Sequence, residues 1–288
     1  MAAGSPTMRR RALARELVRL REECGMSVKD VTAALEWDPS KLYRVEAMRR
    51  GVIVRDVRRL LDQYGVTDEA QREALFDLSR QSKRRGWWQE YGDVLIGPYA
   101  NLIGLEAEAA EIRAYEQELV PGLLQTEDYA RAVIQAGGIA QADGVERLVR
   151  IRMSRQAILD ADDPPQLRVV VNEGAIRRLV GGRAVMGGQL RRLISERDRP
   201  NVRIQVLPFS AGEHPAMAGS FEILSFAAEG ERGVVNLEGM TSTLFLETLE
   251  ELRQYGRAFD FLSAAALGPR ESGDMLIKLS RELDAGEE

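Results

Sequence analysis

Met26-Ser-Val-Lys-Asp-Val-Thr-Ala-Ala-Leu-Glu-Trp-Asp-Pro-Ser-Lys-Leu-Tyr-Arg-Val-Glu46 encodes two short helices and the turn between them. Ser27 starts the first, and Asp30, three residues on, completes a reciprocal capping box. Val28, Val31 and Leu35 give that helix an inner face, and Glu36-Trp37 make the turn. Asp38 then caps the second helix, and Pro39 takes its first position, where a missing N–H costs nothing. Leu42 and Val45 are its only apolar pair and so fix its buried side. At about 100° per residue, Ser40 points almost directly away from that side, Tyr43 and Arg44 flank Ser40, and Lys41 sits nearer the edge. A short helix with a polar, donor-rich outer face, set on two others, is shaped to enter a major groove.

The surrounding sequence supplies the rest of a small helical bundle. From Arg9 to Glu23, the residues Leu13, Leu17, Leu20 and Cys24 recur on one stripe, and Gly25 closes the helix. In that register Cys24, the only cysteine, is expected to be a small buried apolar residue. A fourth helix, Arg55 to Tyr64, contributes Val57, Leu60, Leu61 and Tyr64 and stops at Gly65. A fifth is expected over residues 67–85, ending in Lys83-Arg84-Arg85. Those cations complement a helix dipole or touch phosphate, and the residue pattern leaves both open. Residues 1–8 are expected to form a flexible tail.

Charge divides the chain in the same place. Residues 1–85 carry 19 Lys and Arg against 13 Asp and Glu, and the remaining 203 residues carry 21 against 32. The overall −5 therefore hides a basic head on an acidic body. A basic surface tracks the phosphate backbone, which repels an acidic one. With 288 residues, 44% of them hydrophobic, the chain is long enough for about two domains with their own cores. No apolar run approaches the roughly 18–20 residues a bilayer requires, the N-terminus lacks the apolar segment of a secretory signal, and one cysteine allows no internal disulfide. These features point to a cytoplasmic protein with no membrane partner.

The organisation expected is a tail over 1–8, a helix-turn-helix domain over 9–85, an aromatic linker over 86–103 and an α+β domain over 104–288. In the linker, Trp87 and Trp88 either stack on bases or pin the segment to the next domain, and the second reading is preferred. Beyond it the pattern predicts helices over 104–118, 127–135 and 145–160. Val120-Pro121-Gly122-Leu123-Leu124-Gln125-Thr126 forms a turn with an apolar anchor and a new cap. Strands are expected at 167–171, 202–207, 220–226, 233–237 and 243–246, short helices at 173–180 and 187–196, and two final helices at 247–266 and 269–283. Helices framing a four- to five-stranded sheet make an α+β domain. Glu229-Gly230-Glu231-Arg232-Gly233 suits a hairpin turn.

Catalytic patterns are thin in this second domain. Its lone His214 lies in a glycine-containing loop between two strands; one histidine builds no His-based zinc site. It is a candidate ligand or partner contact, a general base or pH-sensitive group, or simply a loop histidine bonded to the backbone. Asn172 and Glu173 join a strand to a helix, where capping accounts for them. Gly181-Gly182 and Gly187-Gly188 lack the residues of a phosphate-binding loop. No enzymatic activity, cofactor or metal is expected.

Residues 26–46 resemble the second and third helices of the lambda-repressor-like, Xre-type helix-turn-helix regulators. Ser27 stands at the family's Thr or Ser cap, Ser40 to Glu46 at its recognition helix, and Arg49-Arg50-Gly51 follow as they commonly do. Val28 replaces a frequent Gln, Thr32 a usual Ala and Glu36 a usual Gly. A left-handed backbone at Glu36 costs about 1 kcal/mol. The later stretches Gly86-Trp87-Trp88, Leu105 to Ala109, Leu119 to Ala130, Pro200-Asn201-Val202, Gln205 to Phe209 and His214-Pro215 are similar to the C-terminal region of antitoxin-like transcriptional regulators from high-GC filamentous bacteria. That resemblance implies control of transcription through a small partner protein. The DNA-binding set comprises Ser27 at the cap, Ser40, Tyr43 and Arg44 toward base edges, and Lys29, Lys41, Arg49 and Arg50 toward phosphates. The chain is expected to bind double-stranded DNA as a homodimer, because one module reads few base pairs. The alternative is a protein-interaction module or small-molecule sensor in residues 104–288, with DNA binding secondary.

Overall fold

The computed structural model describes residues 6–47, 51–82, 97–138, 142–227, 233–240 and 242–285. Arg49, Arg50, the Lys83–Arg85 run, the aromatic stretch Gly86–Gly92 and the 229–232 part of the expected hairpin turn lie outside the described residues. The chain divides between Glu108 and Ala109 into two compact units.

The first unit holds α1 (Pro6–Glu23), α2 (Val28–Ala34), α3 (Pro39–Glu46), α4 (Val54–Gln63), α5 (Glu69–Gln81) and α6 (Gly97–Glu106). Its core is the stripe read from the sequence: Leu13, Leu17 and Leu20 meet Val31, Leu35, Leu42, Val45, Val57, Leu60, Leu61 and Tyr64. The capping signals of the second and third helices are realised. Ser27 and Asp30 form the capping box of α2, and Asp38 accepts from Ser40 N at the start of α3. The buried Thr32 donates its hydroxyl to the Val28 carbonyl at 2.9 Å, which satisfies it inside the bundle.

Three expectations need correction. Helix α6 begins at Gly97, inside the stretch expected as a linker to residue 103, and ends at Glu106. The tail does not reach residue 8, since α1 begins at Pro6, whose fixed φ suits a first helical turn. Cys24 is exposed rather than buried. The helix ends one residue before it, and Gly25 at φ 70 reverses the chain. Gly25 N–H bonds to Glu22 O at 3.0 Å and Met26 N–H to Arg21 O at 3.1 Å. Cys24 still makes the helical bond to the Leu20 carbonyl at 3.1 Å, so it keeps the register of the stripe but lies past the last covered turn and is left exposed.

The second unit is built on a sheet of six strands, not four or five, in the order β3-β2-β1-β4-β5-β6. They are β1 (Glu111–Glu116), β2 (Gln166–Asn172), β3 (Val202–Leu207), β4 (Phe221–Ser225), β5 (Val234–Glu238) and β6 (Thr243–Leu246). The first three run parallel, and the β1–β4, β4–β5 and β5–β6 pairs are antiparallel. The extra strand is β1, in a segment expected to be helical over 104–118. Glu111-Ile-Arg-Ala-Tyr-Glu116 is rich in helix formers, but it pairs on both sides and buries Ile112, Ala114 and Tyr115. Tertiary pairing overrides local propensity there.

The helices of this unit are α7 (Glu127–Ala136), α8 (Ala142–Arg155), α9 (Glu173–Arg177), α10 (Arg183–Glu196), α11 (Leu249–Ala265) and α12 (Pro269–Asp284). A 3-10 turn at Gly122–Leu124 buries Leu123 and Leu124 and leads to Thr126, the cap of α7. One sheet face, with Tyr115, Val170, Leu207, Phe221, Ile223 and Val235, packs on Phe259 and Leu262 of α11. Among the described residues no helix is long and apolar enough to cross a membrane.

Candidate nucleic-acid interface

Helix α3 is fixed by apolar contacts beneath it and by charged contacts at both ends. Leu42 and Val45 are buried at 0% and 2% exposure, so the opposite side faces outward. At its C-terminus, Glu46 accepts two hydrogen bonds from Arg21 of α1, Nε at 2.7 Å and Nη2 at 3.2 Å. Both side chains are about nine-tenths buried, and the pairing raises the Arg21 pKa above its ordinary value. Near its N-terminus, Lys41 Nζ lies 2.8 Å from Asp56 Oδ2 of α4 and 3.5 Å from the centre of the Trp37 ring. Arg59 faces the same ring and donates to the Leu35 carbonyl at 2.8 Å.

On the outer side stand Ser40, Tyr43 and Arg44, all exposed, Tyr43 by 56%. Arg44 lies back along its own helix, with Nε donating to the Ser40 carbonyl and Nη2 to Ser40 Oγ, both at 3.0 Å. These bonds hold the guanidinium over the helix surface with donors to spare, since the group carries five. The carboxyl of Asp38, bonded by Ser40, sits below its usual pKa and remains ionised as the helix cap.

The structure separates the sequence-predicted cations. Lys29 is exposed on α2 and carries its charge into solvent. Lys41, assigned to phosphate from its position alone, has its charge matched by Asp56 and its ammonium covered by Trp37, so its demonstrated contacts are internal. Ser27 likewise bonds inward: its hydroxyl donates to Asp30 Oδ2 at 2.6 Å and accepts from Asp30 N–H at 3.2 Å. Arg55, in the first turn of α4, was not singled out by the pattern; its side chain is 81% exposed beside the Lys41–Asp56 pair. The signal was present in the sequence, because a cation in a first turn opposes the helix dipole and so is not there to stabilise the helix.

His214 lies in the second unit with Nε2 3.3 Å from Tyr115 Oη, while its Nδ1 accepts from Ala216 N–H at 3.3 Å. Burial lowers its pKa, and the accepting Nδ1 places the ring proton on Nε2. One bond ties the ring to its own loop backbone and the other to a tyrosine of β1. Asn172 caps α9 by accepting from Gly174 N–H. Glu173 accepts from Phe209 N–H at 2.8 Å and from Arg177 at 2.6 Å, so both residues serve the strand-to-helix junction.

Residues 12–75 match the family described as Helix-turn-helix domain. Residues 99–278 match the one described as Domain of unknown function (DUF5753). No curated protein and no solved structure matches the chain.

Proposed function

The chain belongs to the DUF5753 family and carries a helix-turn-helix domain ahead of that region, and on that premise we propose a transcriptional regulator that reads a specific operator. The helix-turn-helix domain makes it a DNA-binding regulator. The finer reading is an Xre-type repressor-like module that binds as a homodimer. Its second domain is controlled by a small partner protein in the antitoxin-like manner, and the whole acts in the cytoplasm by binding and not by catalysis. The observation that carries the reading is α3, braced at both ends by ion pairs, whose unburied side presents Ser40, Tyr43 and Arg44.

In that role Arg44 forks onto a guanine edge while Lys29 and Arg55 meet phosphates. The test is selection of random duplex DNA by the full-length protein, followed by binding curves for Arg44→Ala. A selected motif, with discrimination at one base pair lowered by about 1–3 kcal/mol in the variant, supports the reading. Absence of any enriched sequence, or an unchanged preference in the variant, overturns it.

A further inference from the structure

The two edges of the six-stranded sheet are treated differently. Along β3 the outward backbone groups of Val206 are taken up: its N–H bonds to Ser272 Oγ and its carbonyl accepts from Leu267 N–H, each at 2.9 Å. At that residue the edge is covered by α12 and the turn before it.

At the other edge β6 is open. Gly239 N–H bonds to Ser242 O at 2.8 Å, which makes 239 and 242 a hydrogen-bonded antiparallel pair. In the register Glu238↔Thr243, Leu237↔Leu244, Asn236↔Phe245 and Val235↔Leu246, the pairs then alternate. Leu244 and Leu246 turn their peptide groups toward β5, while Thr243 and Phe245 turn theirs away from the sheet. Among the described residues these outward N–H and C=O groups take no partner. The strand, Thr-Leu-Phe-Leu, holds none of the lysine or proline residues that guard free edges. Leu244 is 53% exposed, and Leu249, which opens the next helix, is 51% exposed.

We propose that β6 is the dimer interface of this protein, pairing antiparallel with β6 of a second copy about a two-fold axis through Leu244, so that two six-stranded sheets become one. The inference rests on the dimeric regulator reading above and names the surface that supplies the pairing. A second copy is the occupant that this edge fits, because the strand is uncharged and its exposed Leu244 lies between the two outward residues, so an identical strand meets it apolar against apolar. With Leu244 on the axis, Thr243 of each chain falls opposite Phe245 of the other, and the outward groups of both residues exchange hydrogen bonds in both directions. The two Leu244 side chains meet on the face where they are now exposed. Charge permits the approach: Glu247 lies three residues from the axis, so the two copies of it stand about 20 Å apart, beyond the Debye length of about 8 Å. A two-fold body also matches what paired half-sites require of a helix-turn-helix protein.

The test uses the full-length chain in analytical ultracentrifugation. The wild type is expected at twice 32.1 kDa, and Leu244→Lys and Leu244→Glu each at the monomer mass, because like charges then face each other on the axis. An equimolar mixture of the two variants is expected to return to the dimer mass, which also shows that both are folded. Variants that remain dimeric, or a mixture that stays monomeric, overturn this interface and leave the dimeric reading standing on some other surface. A wild type that is monomeric at micromolar concentration and binds its operator as a monomer overturns both.

Discussion

The guanidinium of Arg21 holds the carboxylate of Glu46 by two parallel hydrogen bonds while its Nη1 donates to the carbonyl of Met26 at 3.0 Å. One side chain thus joins the end of the first helix, the entry to the second and the end of the third. A fork of this kind fixes orientation as well as distance, and it is largely removed from water. The direction in which α3 presents Tyr43 and Arg44 therefore depends on a residue in a different helix.

Arg21→Ala is expected to lower the stability of the protein by about 1–3 kcal/mol, since it leaves a mostly buried carboxylate without its partner. Arg21→Lys restores charge but not the fork, and recovers only part of the loss. Urea denaturation followed by circular dichroism checks both. Equal stability of Arg21→Ala and wild type would mean that the pair is not a brace.

Glu36 is the one non-glycine residue with positive φ among the described residues, at 54°. The turn needs that geometry because Trp37 N–H closes back on the Thr32 carbonyl at 2.8 Å. A left-handed L-residue costs about 1–2 kcal/mol, and glycine escapes this while adding about 0.4–1 kcal/mol of unfolded-chain entropy. Glu36→Gly is therefore expected to melt slightly above wild type, and Glu36→Val well below it, because a branched Cβ suits the conformation least. Scanning calorimetry of the two variants decides it, and the reverse order would exclude backbone strain at this position.

The sequence made α1 to α5 readable because their signals are local, whereas α6 falls where a linker was expected. Ser27, Asp38 and Pro39 act within one turn of themselves, and Leu42 and Val45 fix a buried side by spacing alone. Cys24 escaped the reading because its fate depends on where the helix stops, which Gly25 decides. The pairing of Lys41 with Asp56 escaped it because those residues meet only once α4 docks. In the second unit β1 was hidden for a related reason. Glu111–Glu116 has the composition of a helix and becomes a central strand only by pairing with β2 and β4, which lie 50 and 105 or more residues downstream. Strands with apolar, β-branched sequences, such as Gln166–Asn172 and Val202–Leu207, announced themselves.

Lys29 and Lys41 carry the same charge and are expected to behave oppositely. Lys41→Ala leaves Asp56, which is 7% exposed, facing the exposed Arg55 at 3.9 Å in place of its 2.8 Å partner, and so lowers stability by about 1–3 kcal/mol. It leaves the dependence of DNA affinity on salt nearly unchanged. Lys29→Ala touches nothing internal and is expected to melt with wild type while reducing the slope of log K against log salt by about one. Binding isotherms at three salt concentrations, with a thermal melt of each variant, separate the two. A reduced slope for Lys41→Ala at full stability would return that residue to the phosphate contacts.

Glu116, at the end of β1, is half-buried as a residue, but its carboxyl is drawn away from water, and its pKa is pushed up to about 7. Desolvation is the main cause, and the neighbouring Glu238 adds to it; a hydrogen bond from Ser220 and the charges of Arg155 and Arg152 act the other way without prevailing. The folded protein therefore holds this proton more tightly than the unfolded chain, whose carboxyl titrates near 4.5. Stability from this group is fully present below the unfolded value and falls as pH rises through the folded one, opposite to a salt-bridged carboxylate. Glu116→Gln mimics the protonated form and lacks the titration. The variant is expected to match wild type near pH 4.5 and to exceed it by on the order of 1–3 kcal/mol above pH 7. Denaturation of both proteins across that range isolates the effect, because every other titrating group cancels in the difference. A stability gap that stays constant with pH would show that the carboxyl is solvated and ionises normally.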